Sequence, residues 1–281
     1  MTQKRVAAIH DISCFGRCSL TVALPILSAA GIETSVIPTA VLSTHTGGIE
    51  GYTFRDLTDD ILPIVAHWKS LNLQFNGVYT GYLGSTEQIS IVSQVFDSLK
   101  NDEQTLVFID PVMADHGQLY NNFSEDYPKQ MAKLCEKADM VIPNMTEAAF
   151  LLGEPYQEGP YTQDYIEQLL KKLSALGPKT IFLTGVSFHE QELGAAAYEV
   201  KTGKISYAFA PKIEGHFHGT GDVFASALLA AIMKNKSLED ALNIAVQFTV
   251  QSIQRTKIAQ TDIRFGVNFE EGLSLLGQSL A

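Results

Sequence analysis

The chain has 281 residues, of which 46% are hydrophobic and 18% are charged, and its formal net charge is −11 at pH 7. Single hydrophobic cores stop growing at about 250–300 residues, so we expect one α/β domain spanning residues 1–281. An acidic surface of this kind repels nucleic acids and anionic membranes, which argues against either as a partner.

Two further features of the composition bear on location. No apolar run approaches the roughly 20 residues of a membrane-spanning helix. The three cysteines, Cys14, Cys18 and Cys135, fit neither a disulfide framework nor the spacing of a CxxC motif. We therefore expect a cytoplasmic protein with reduced thiols, in which Cys14 and Cys18 are packing residues rather than catalytic ones.

Short apolar runs alternate with helical patterns along the first half of the chain. Helix starts and stops are marked by capping residues, among them Ser85 before a helix and Gly31 after one. In chain order the predicted elements are a strand at 6–9, a helix at 19–30, a strand at 34–37 that ends at Pro38, a helix at 56–71, a strand at 78–80 and a helix that follows Ser85.

The same alternation continues in the second half, and residues 114–126 are too rich in Gly, Asn, Asp and Ser to predict a packed element. The predicted elements are strands at 106–109, 140–142 and 180–183, a β-hairpin at 195–200 and 205–209, a buried helix at 223–233 and a helix that follows Ser237. Strands that alternate with helices predict a three-layer α-β-α fold with a mainly parallel central sheet.

Polar residues follow several of these strands directly. In a parallel sheet the carboxyl ends of the strands meet at one edge, where ligands bind. The sequence therefore predicts that residues far apart in the chain converge there. These residues are His10 and Asp11, Gly81 and Tyr82, Asp110, Asn144 and Glu147, and Thr184 and Gly185.

The most informative motif is Gly219-Thr220-Gly221-Asp222, directly before the buried helix. Glycines let the backbone approach a ligand closely, and the amides at a helix start form an anion site. Asp222 adds a potential base beside that site, which suits the transfer of a phosphoryl group to an alcohol. The alternative is a plain helix start, in which Asp222 contributes only a favourable charge of about 0.3–1 kcal/mol.

Three further polar residues suggest a metal site. Asp110, Asn144 and Glu147 supply the oxygen ligands that Mg²⁺ prefers, here through water, and Mg²⁺ would screen nucleotide phosphates from the carboxylates. Each of the three also has a possible structural role. Asp110 precedes Pro111 in a sequence typical of a turn. Asn144 and Glu147 also have the spacing of a helix capping box.

The histidines give a weaker indication of a metal site or of a contact with substrate. His216 and His218 lie two residues apart and the spacing places no third ligand, so a zinc site is not favoured. His45, in the sequence Thr44-His45-Thr46-Gly47, is a better candidate for contact with a substrate, although a surface-loop histidine fits nearly as well.

Taken together, these residues resemble the ribokinase-like superfamily, and within it the pyridoxal kinase branch. The motifs that carry the resemblance cover nearly the whole chain in the order of that family. They are Ser43-Thr44-His45-Thr46, Gly81-Tyr82-Leu83-Gly84-Ser85, Asp110-Pro111-Val112-Met113, Pro143-Asn144-x-x-Glu147 and Gly219-Thr220-Gly221-Asp222.

The resemblance implies ATP-dependent phosphorylation of the 5′-hydroxyl of pyridoxal, pyridoxine or pyridoxamine, with Mg²⁺, often a monovalent cation such as K⁺, and a homodimer. It implies that Asp222 is the base and that Gly219, Thr220 and Gly221 form the anion hole. The Mg-ATP positions would be Asp110, Asn144 and Glu147, with Thr184 and Gly185 on the nucleotide side. The vitamer pocket would include His45, Thr46 and Tyr82, and residues 114–126, with Tyr120, would form a flap over ATP.

One position departs from the family pattern. Many members carry a serine after the first strand that reaches the pyridine ring, whereas this chain has Asp11, with Ser13 two residues later, which resembles the hydroxymethylpyrimidine kinases. By this resemblance Asp11 and Ser13 are further candidates for contact with the substrate. A hydroxymethylpyrimidine kinase therefore stays as the alternative enzyme, and a pyridoxal phosphate carrier as the non-catalytic one. A sugar kinase is disfavoured, because no β-rich lid insertion is visible between Gly31 and Thr53.

Overall fold

The computed structural model describes residues 3–100 and 105–281. Within these ranges, one nine-stranded sheet is covered by helices on both faces, and a small two-stranded sheet lies beside it. The strands are β1 (Arg5–Phe15), β2 (Glu33–Thr44), β3 (Phe54–Asp56), β4 (Gly77–Thr80), β5 (Leu106–Ile109), β6 (Ala114–Asp115), β7 (Gln118–Leu119), β8 (Met140–Val141), β9 (Thr180–Val186), β10 (Glu192–Glu199) and β11 (Lys204–Pro211).

Helices fill the outer two layers of the fold. They are α1 (Leu20–Ala29), α2 (Thr58–Ser70), α3 (Thr86–Leu99), α4 (Tyr127–Cys135), α5 (Met145–Leu152), α6 (Gln163–Ser174), α7 (Thr220–Met233), α8 (Leu238–Ala259) and α9 (Leu273–Ser279). Two short 3₁₀ turns lie at 263–265 and 270–272. Among the described residues, no helix has both the length and the apolar character needed to cross a bilayer.

The large sheet has the strand order β11-β10-β9-β8-β5-β4-β1-β2-β3. The six strands from β9 to β2 in that order are parallel, and the outer strands β3, β10 and β11, of which β3 and β11 form the edges, are antiparallel to their neighbours. The predicted three-layer α-β-α fold with a mainly parallel sheet is therefore confirmed, and no large lid is present among the described residues.

Alternate residues of the strands point to opposite faces, and each face has its own buried cluster. In β1, Ala7 packs with the cluster beneath α2–α6, whereas its neighbour Val6 packs with the cluster beneath α1 and α7–α9. Val78 and Tyr79 of β4 divide in the same way. The strands are buried on both sides, as in a doubly covered parallel sheet.

Local chemistry explains several element boundaries. The Ser85 hydroxyl accepts a hydrogen bond from the Gln88 backbone N–H at 3.1 Å, which caps the start of α3 as predicted. Ser237 caps α8 through the Asp240 backbone N–H at 3.1 Å. The predicted hairpin is also confirmed, with β10 and β11 joined through residues 200–203.

The predicted ends of the first two strands were wrong, and so was that of β9, which continues beyond Leu183 to Val186. β1 continues beyond Ile9 to Phe15, and β2 continues through Pro38 to Thr44. The pairing of β1 with β2 shifts register between His10 and Ile12. Both strands continue through this irregularity, and Pro38, which is paired with His10, lies at it. Proline is tolerated within a strand at such bulges because no ladder hydrogen bond is lost there.

The prediction that residues 114–126 contain no packed element was also wrong. They begin with the β6–β7 hairpin, whose central residues His116 and Gly117 have φ of 49° and 76°. Two positive φ values in succession are typical of the two-residue turn that suits the twist of a hairpin. A histidine in the first of these positions gives little sequence indication of such a turn.

Candidate active site

The strand order places the predicted polar residues along one edge of the sheet. β1, β4, β5, β8 and β9 run parallel, so their carboxyl ends lie at the same edge. Gly81, Asp110 and Asn144 follow their strands, whereas the other predicted residues lie inside the longer strands β1 and β9: His10, Asp11, Thr184 and Gly185. An isolated bridge between Asn144 and Thr184, with the Thr184 backbone N–H donating to Pro143 O at 3.0 Å, joins two of these strand ends directly. Gly185 follows as an exposed residue.

The Gly219–Asp222 segment forms the start of α7. Gly219 is the N-cap with φ of 72°, and a Cβ added there would lie 2.0 Å from the Arg17 carbonyl oxygen. Only glycine fits this close approach between two loops. The first intrahelical bond runs from the Val223 N–H to the Gly219 carbonyl at 3.0 Å. The N–H groups of residues 220–222 precede it and point out of the helix end, where they can bind an anion.

Asp222 is half-buried beside these amides. Burial raises the pKa of its carboxyl to about 7; a hydrogen bond from the Ser19 backbone N–H opposes the increase, and the nearby Asp11 carboxylate adds to it. A base whose pKa lies near the working pH is well suited to accept a proton during a reaction. The electrostatics of the site therefore favour a base at position 222 over a plain helix-start charge.

Asp110 and Glu147 form a buried acidic pair across the site from Asp222. Burial raises the pKa of Asp110 well above its usual range, and the carboxylates of Glu147 and Asp222 raise it further. Burial also raises the pKa of Glu147 to about 8. Two buried carboxyls that disfavour each other's ionised form fit a divalent cation, because a bound cation stabilises both negative charges.

Glu147 also has the structural role considered from the sequence. Its carboxylate accepts from the backbone N–H of Asn144 at 2.8 Å and from that of Met113 at 3.1 Å. The Asn144 side chain accepts in turn from the Glu147 N–H at 2.8 Å, which completes a capping box at α5. The Ala114 backbone contributes a third hydrogen bond to the Glu147 carboxylate. A carboxylate has about four acceptor positions, so Glu147 can still contact metal-bound water.

Asn144 is more fully engaged than Glu147. Its Oδ1 atom caps α5, and its Nδ2 atom donates to the Ala114 carbonyl at 2.9 Å. The side chain therefore holds Glu147 and the base of the β6–β7 hairpin in fixed positions. Gly117 in the same hairpin donates to the Thr146 hydroxyl at 3.0 Å, which ties the hairpin to α5 a second time.

Tyr120 follows this hairpin and lies over the acidic pair. Its backbone N–H donates to the Met113 carbonyl at 3.0 Å. Burial raises the pKa of its phenol, and the carboxylates of Glu147, Asp115, Asp110 and Asp222 raise it further in that order. The hairpin and Tyr120 thus border the site, on the side where the sequence predicted a flap.

Three predicted substrate contacts lie near the end of β1. Asp11 and Ser13 are buried, with the Ser13 hydroxyl donating to Asp11 Oδ2 at 3.3 Å. Burial raises the pKa of Asp11, while hydrogen bonds with Ser19 and Ser13 partly oppose the increase. Tyr82 is half-buried, accepts from Asn122 Nδ2 at 2.5 Å and has its pKa raised to about 12 by burial.

The loop after β2 carries the remaining two predicted substrate contacts, His45 and Thr46. His45 is buried, its Nδ1 atom accepts from the Gly47 N–H at 3.2 Å, and its Nε2 atom contacts the Arg264 carbonyl oxygen. Nε2 must therefore carry the proton, and both ring nitrogens are engaged within the chain. His45 therefore keeps no free ring nitrogen for a substrate. Thr46 is exposed.

Sequence reasoning missed the contacts of Asp222, and it placed His10 at this edge of the sheet without indicating that it is buried. Ser19 supplies the amide that contacts Asp222, and its φ of 53° is a left-handed value that the sequence does not indicate. Burial raises the pKa of Cys18 well above its usual value, with Asp222 and Asp11 adding to the effect, so this cysteine is held as a thiol. His10 is fully buried, and neither ring nitrogen has a hydrogen-bond partner among the described residues.

Comparison with known proteins then gives the family. The phosphomethylpyrimidine kinase family matches residues 24–266. The chain belongs to the phosphomethylpyrimidine kinase family. Its crystallised relatives include a Bacteroides thetaiotaomicron protein, named provisionally as a phosphomethylpyrimidine kinase and solved with pyridoxal. That protein is 40% identical, with a TM-score of 0.93 over 98% of this chain and 96% of its own.

Two other proteins to which the chain is similar carry the name pyridoxal kinase. The Lactobacillus plantarum enzyme is 32% identical, with a TM-score of 0.86 over 98% of this chain and 97% of its own. The Bos taurus enzyme is 28% identical over 82% of this chain and 78% of its own length. The fold and the family thus agree with the resemblance seen in the sequence motifs.

Proposed function

We propose that the chain is an ATP-dependent pyridoxal kinase, which transfers the terminal phosphoryl group of ATP to the 5′-hydroxyl of pyridoxal and of its pyridoxine and pyridoxamine forms. Relatives named pyridoxal kinase, and a 40% identical relative solved with pyridoxal, support this substrate. We include in the proposal a single domain spanning residues 1–281, a homodimer and a cytoplasmic location. The single sheet, with one buried cluster on each face, supports the domain assignment.

The observation that carries the proposal is the position of Asp222 between an anion cradle and an acidic pair. Its pKa of about 7 allows it to accept the proton of the substrate hydroxyl near neutral pH. The hydroxyl oxygen forms the new bond to the terminal phosphorus as the bond from that phosphorus to the bridging oxygen of ADP breaks, and the hydroxyl proton passes to Asp222. In a loose phosphoryl transfer the proton leaves late, so a carboxylate is a sufficient base.

The amides of Gly219, Thr220, Gly221 and Asp222 would stabilise the negative charge on the transferred group. Preorganised donors of this kind are effective because they need no rearrangement during the reaction, and losing one typically lowers kcat by about 10²–10³. Thr184 and Gly185 lie at the same sheet edge and would contact the nucleotide. Asn144 would act by holding Glu147 in place.

Asp110 and Glu147 fit Mg²⁺ and would hold it, through water, on the phosphates of ATP. When bound, the Mg²⁺ ion would neutralise part of the negative charge of the phosphates. The observation that supports this fit is the raised pKa of both carboxyls, which a cation would relieve. A monovalent cation such as K⁺ is part of the proposal only through the family resemblance.

The pyridoxal ring would bind among Asp11, Ser13, His45, Thr46 and Tyr82. His45 would act there without a free ring nitrogen, because both its nitrogens are engaged within the chain. Tyr82 offers a ring held against Phe123 at a centroid distance of 5.5 Å. Asp11 and Ser13 offer the buried polar atoms that would recognise a ring nitrogen or hydroxyl.

A hydroxymethylpyrimidine kinase is the second candidate, and the Asp11–Ser13 pair together with the matched family favours it. Measuring ADP release with pyridoxal, pyridoxine, pyridoxamine, hydroxymethylpyrimidine and ribose separates these candidates. The proposal predicts the highest kcat/KM with a B6 vitamer. Preference for the pyrimidine would establish the second candidate, and no turnover with any of them, alongside binding of pyridoxal phosphate, would indicate a carrier.

A further inference from the structure

Four histidines form a continuous cluster at the border of the candidate site. His116 lies at the turn of the β6–β7 hairpin, His216 and His218 lie in the loop before α7, and His45 follows β2. The ring centroids of successive members are 5.3 Å apart for His116 and His216, 4.8 Å for His216 and His218, and 5.0 Å for His218 and His45. The spacing of His216 and His218 places no third ligand, and the fold brings His116 to His216 from 100 residues away in the sequence.

The nitrogen atoms of two of these histidines face each other. His116 Nε2 and His216 Nδ1 are 3.4 Å apart. Zinc binds imidazole nitrogen at about 2.0–2.1 Å in a tetrahedral arrangement, which puts two ligand nitrogens about 3.3–3.4 Å apart. The observed separation is therefore the one that a shared ion requires.

Asp115 provides a third ligand beside this pair. Its Oδ2 atom lies 3.7 Å from His116 Nε2, and one ligand atom from each of the three residues lies within 4.8 Å of the other two. Asp115 and His116 are adjacent in the hairpin, whereas His216 belongs to a separate loop. A modest rotation of the Asp115 carboxylate would complete one face of a tetrahedron.

We propose that Asp115, His116 and His216 form a binding site for a divalent transition-metal ion such as zinc, with a fourth position open to water. Imidazole nitrogen is a preferred ligand for zinc, whereas Mg²⁺ prefers oxygen alone. The site therefore differs in metal preference from the Asp110–Glu147 pair. Three protein ligands and one open position are the arrangement found in exchangeable zinc sites rather than closed structural ones.

A metal ion at this position would fasten two segments that border the anion cradle. One is the hairpin, which α5 already holds through the Gly117–Thr146 hydrogen bond. The other is the loop that leads into Gly219 and the start of α7. The ion would thus join the flap to the cradle, and zinc would restrict opening at this side of the site.

The competing arrangement is a long hydrogen bond between the two histidine rings, whose nitrogens are 3.4 Å apart. Replacement of a histidine by glutamine distinguishes a zinc site from a hydrogen bond, since the glutamine amide can still donate or accept a hydrogen bond but is a poor zinc ligand. His116→Gln and His216→Gln are therefore the informative variants. His116 is exposed, so its replacement leaves the core untouched.

The test is titration of Zn²⁺ into the nucleotide-free full chain, in excess Mg²⁺, against a chromophoric chelator. We expect one zinc ion per chain, affinity at least tenfold weaker in either glutamine variant, and unchanged affinity in His67→Gln, which alters an exposed histidine of α2. Zinc should also raise the melting temperature of the wild type and of His67→Gln, but not of His116→Gln.

Two results would overturn the proposal. One is wild-type zinc binding that both glutamine variants retain, which would place the ion elsewhere, including on the Asp110–Glu147 pair. The other is the absence of stoichiometric zinc binding by the wild type, which would leave the histidine pair as a hydrogen bond. Neither result depends on kinase activity, so the outcome is independent of the proposed function.

Discussion

Replacement of Gly219 with alanine tests how closely the anion cradle depends on backbone packing. The added Cβ would lie 2.0 Å from the Arg17 carbonyl oxygen, far inside the separation of about 3.4 Å at which ordinary contact begins. Because the obstructing atom belongs to the backbone, the cradle or the loop at Arg17 must move by about 1 Å or more. The left-handed φ of 72° adds about 1–2 kcal/mol of strain for any residue with a Cβ.

A movement of this size should affect catalysis more than stability. Misplacement of a reacting group by about 1 Å lowers rates by about 10²-fold, and loss of one anion-hole donor lowers kcat by about 10²–10³. We therefore expect Gly219→Ala to lower kcat for ADP formation by about 100-fold or more. The free energy of unfolding should fall by about 1–3 kcal/mol, measured by urea denaturation.

Gly221→Ala is the matched control for stability. A Cβ at Gly221 has no heavy atom within 4 Å among the described residues, and the residue lies in the first turn of α7. Alanine in a helix is favoured over glycine by up to about 1 kcal/mol, so this variant should be as stable as the wild type or more stable. If Gly219→Ala were as stable as Gly221→Ala and kept wild-type turnover, the packing argument would be refuted.

Three other predictions concern the carboxylates and the ring pocket. Glu147→Ala should weaken the Mg²⁺ dependence of turnover and lower stability by about 1–3 kcal/mol, because the Asn144 and Met113 amides lose their acceptor. Without Mg²⁺, unfolding free energy should fall as pH rises from about 5 to 8, because Glu147, with its pKa raised from 4.5 to about 8, holds a proton in the folded state that the unfolded chain releases. Tyr82→Phe should raise KM for pyridoxal several-fold with little change in kcat, since Asn122 loses its acceptor.

Each of these has a contradicting outcome. If Glu147→Ala had a lowered melting temperature and an unaltered Mg²⁺ response, Glu147 would act only as a helix cap. Metal-free denaturation curves whose midpoints rise between pH 5 and 8 would contradict the raised pKa, and added Mg²⁺ should make the fall with pH smaller. If Tyr82→Phe and its companion variant Asn122→Ala both kept the wild-type KM for pyridoxal, the Tyr82–Asn122 hydrogen bond would have no role in substrate binding.

The parts of the fold that local chemistry determines could be predicted from the sequence. Ser85 and Ser237 cap helices through bonds to amides three residues later, and both were predicted correctly. The buried helix after Gly219 follows from an apolar run with a glycine before it. Alternation of strands and helices was enough to predict the parallel sheet and the edge at which the polar residues meet.

The parts that depend on distant contacts could not be predicted in this way. β1 and β2 extend past Ile9 and Pro38 because each supports the other across a bulge, which neither segment shows alone. Ser19 contacts Asp222 across more than 200 residues of sequence, and His116 meets His216 across 100. Such pairs are created by the packing of loops at the sheet edge, so only the folded chain reveals them.

The most direct test of the account is single-turnover phosphorylation of pyridoxal by Asp222→Asn. Asparagine keeps the size of the side chain and an oxygen that can accept from the Ser19 N–H, but it cannot take a proton from the substrate. Loss of a general base typically lowers the rate by about 10²–10⁴-fold. The account predicts a loss in that range with ATP binding retained. Phosphoryl transfer at close to the wild-type rate would contradict it.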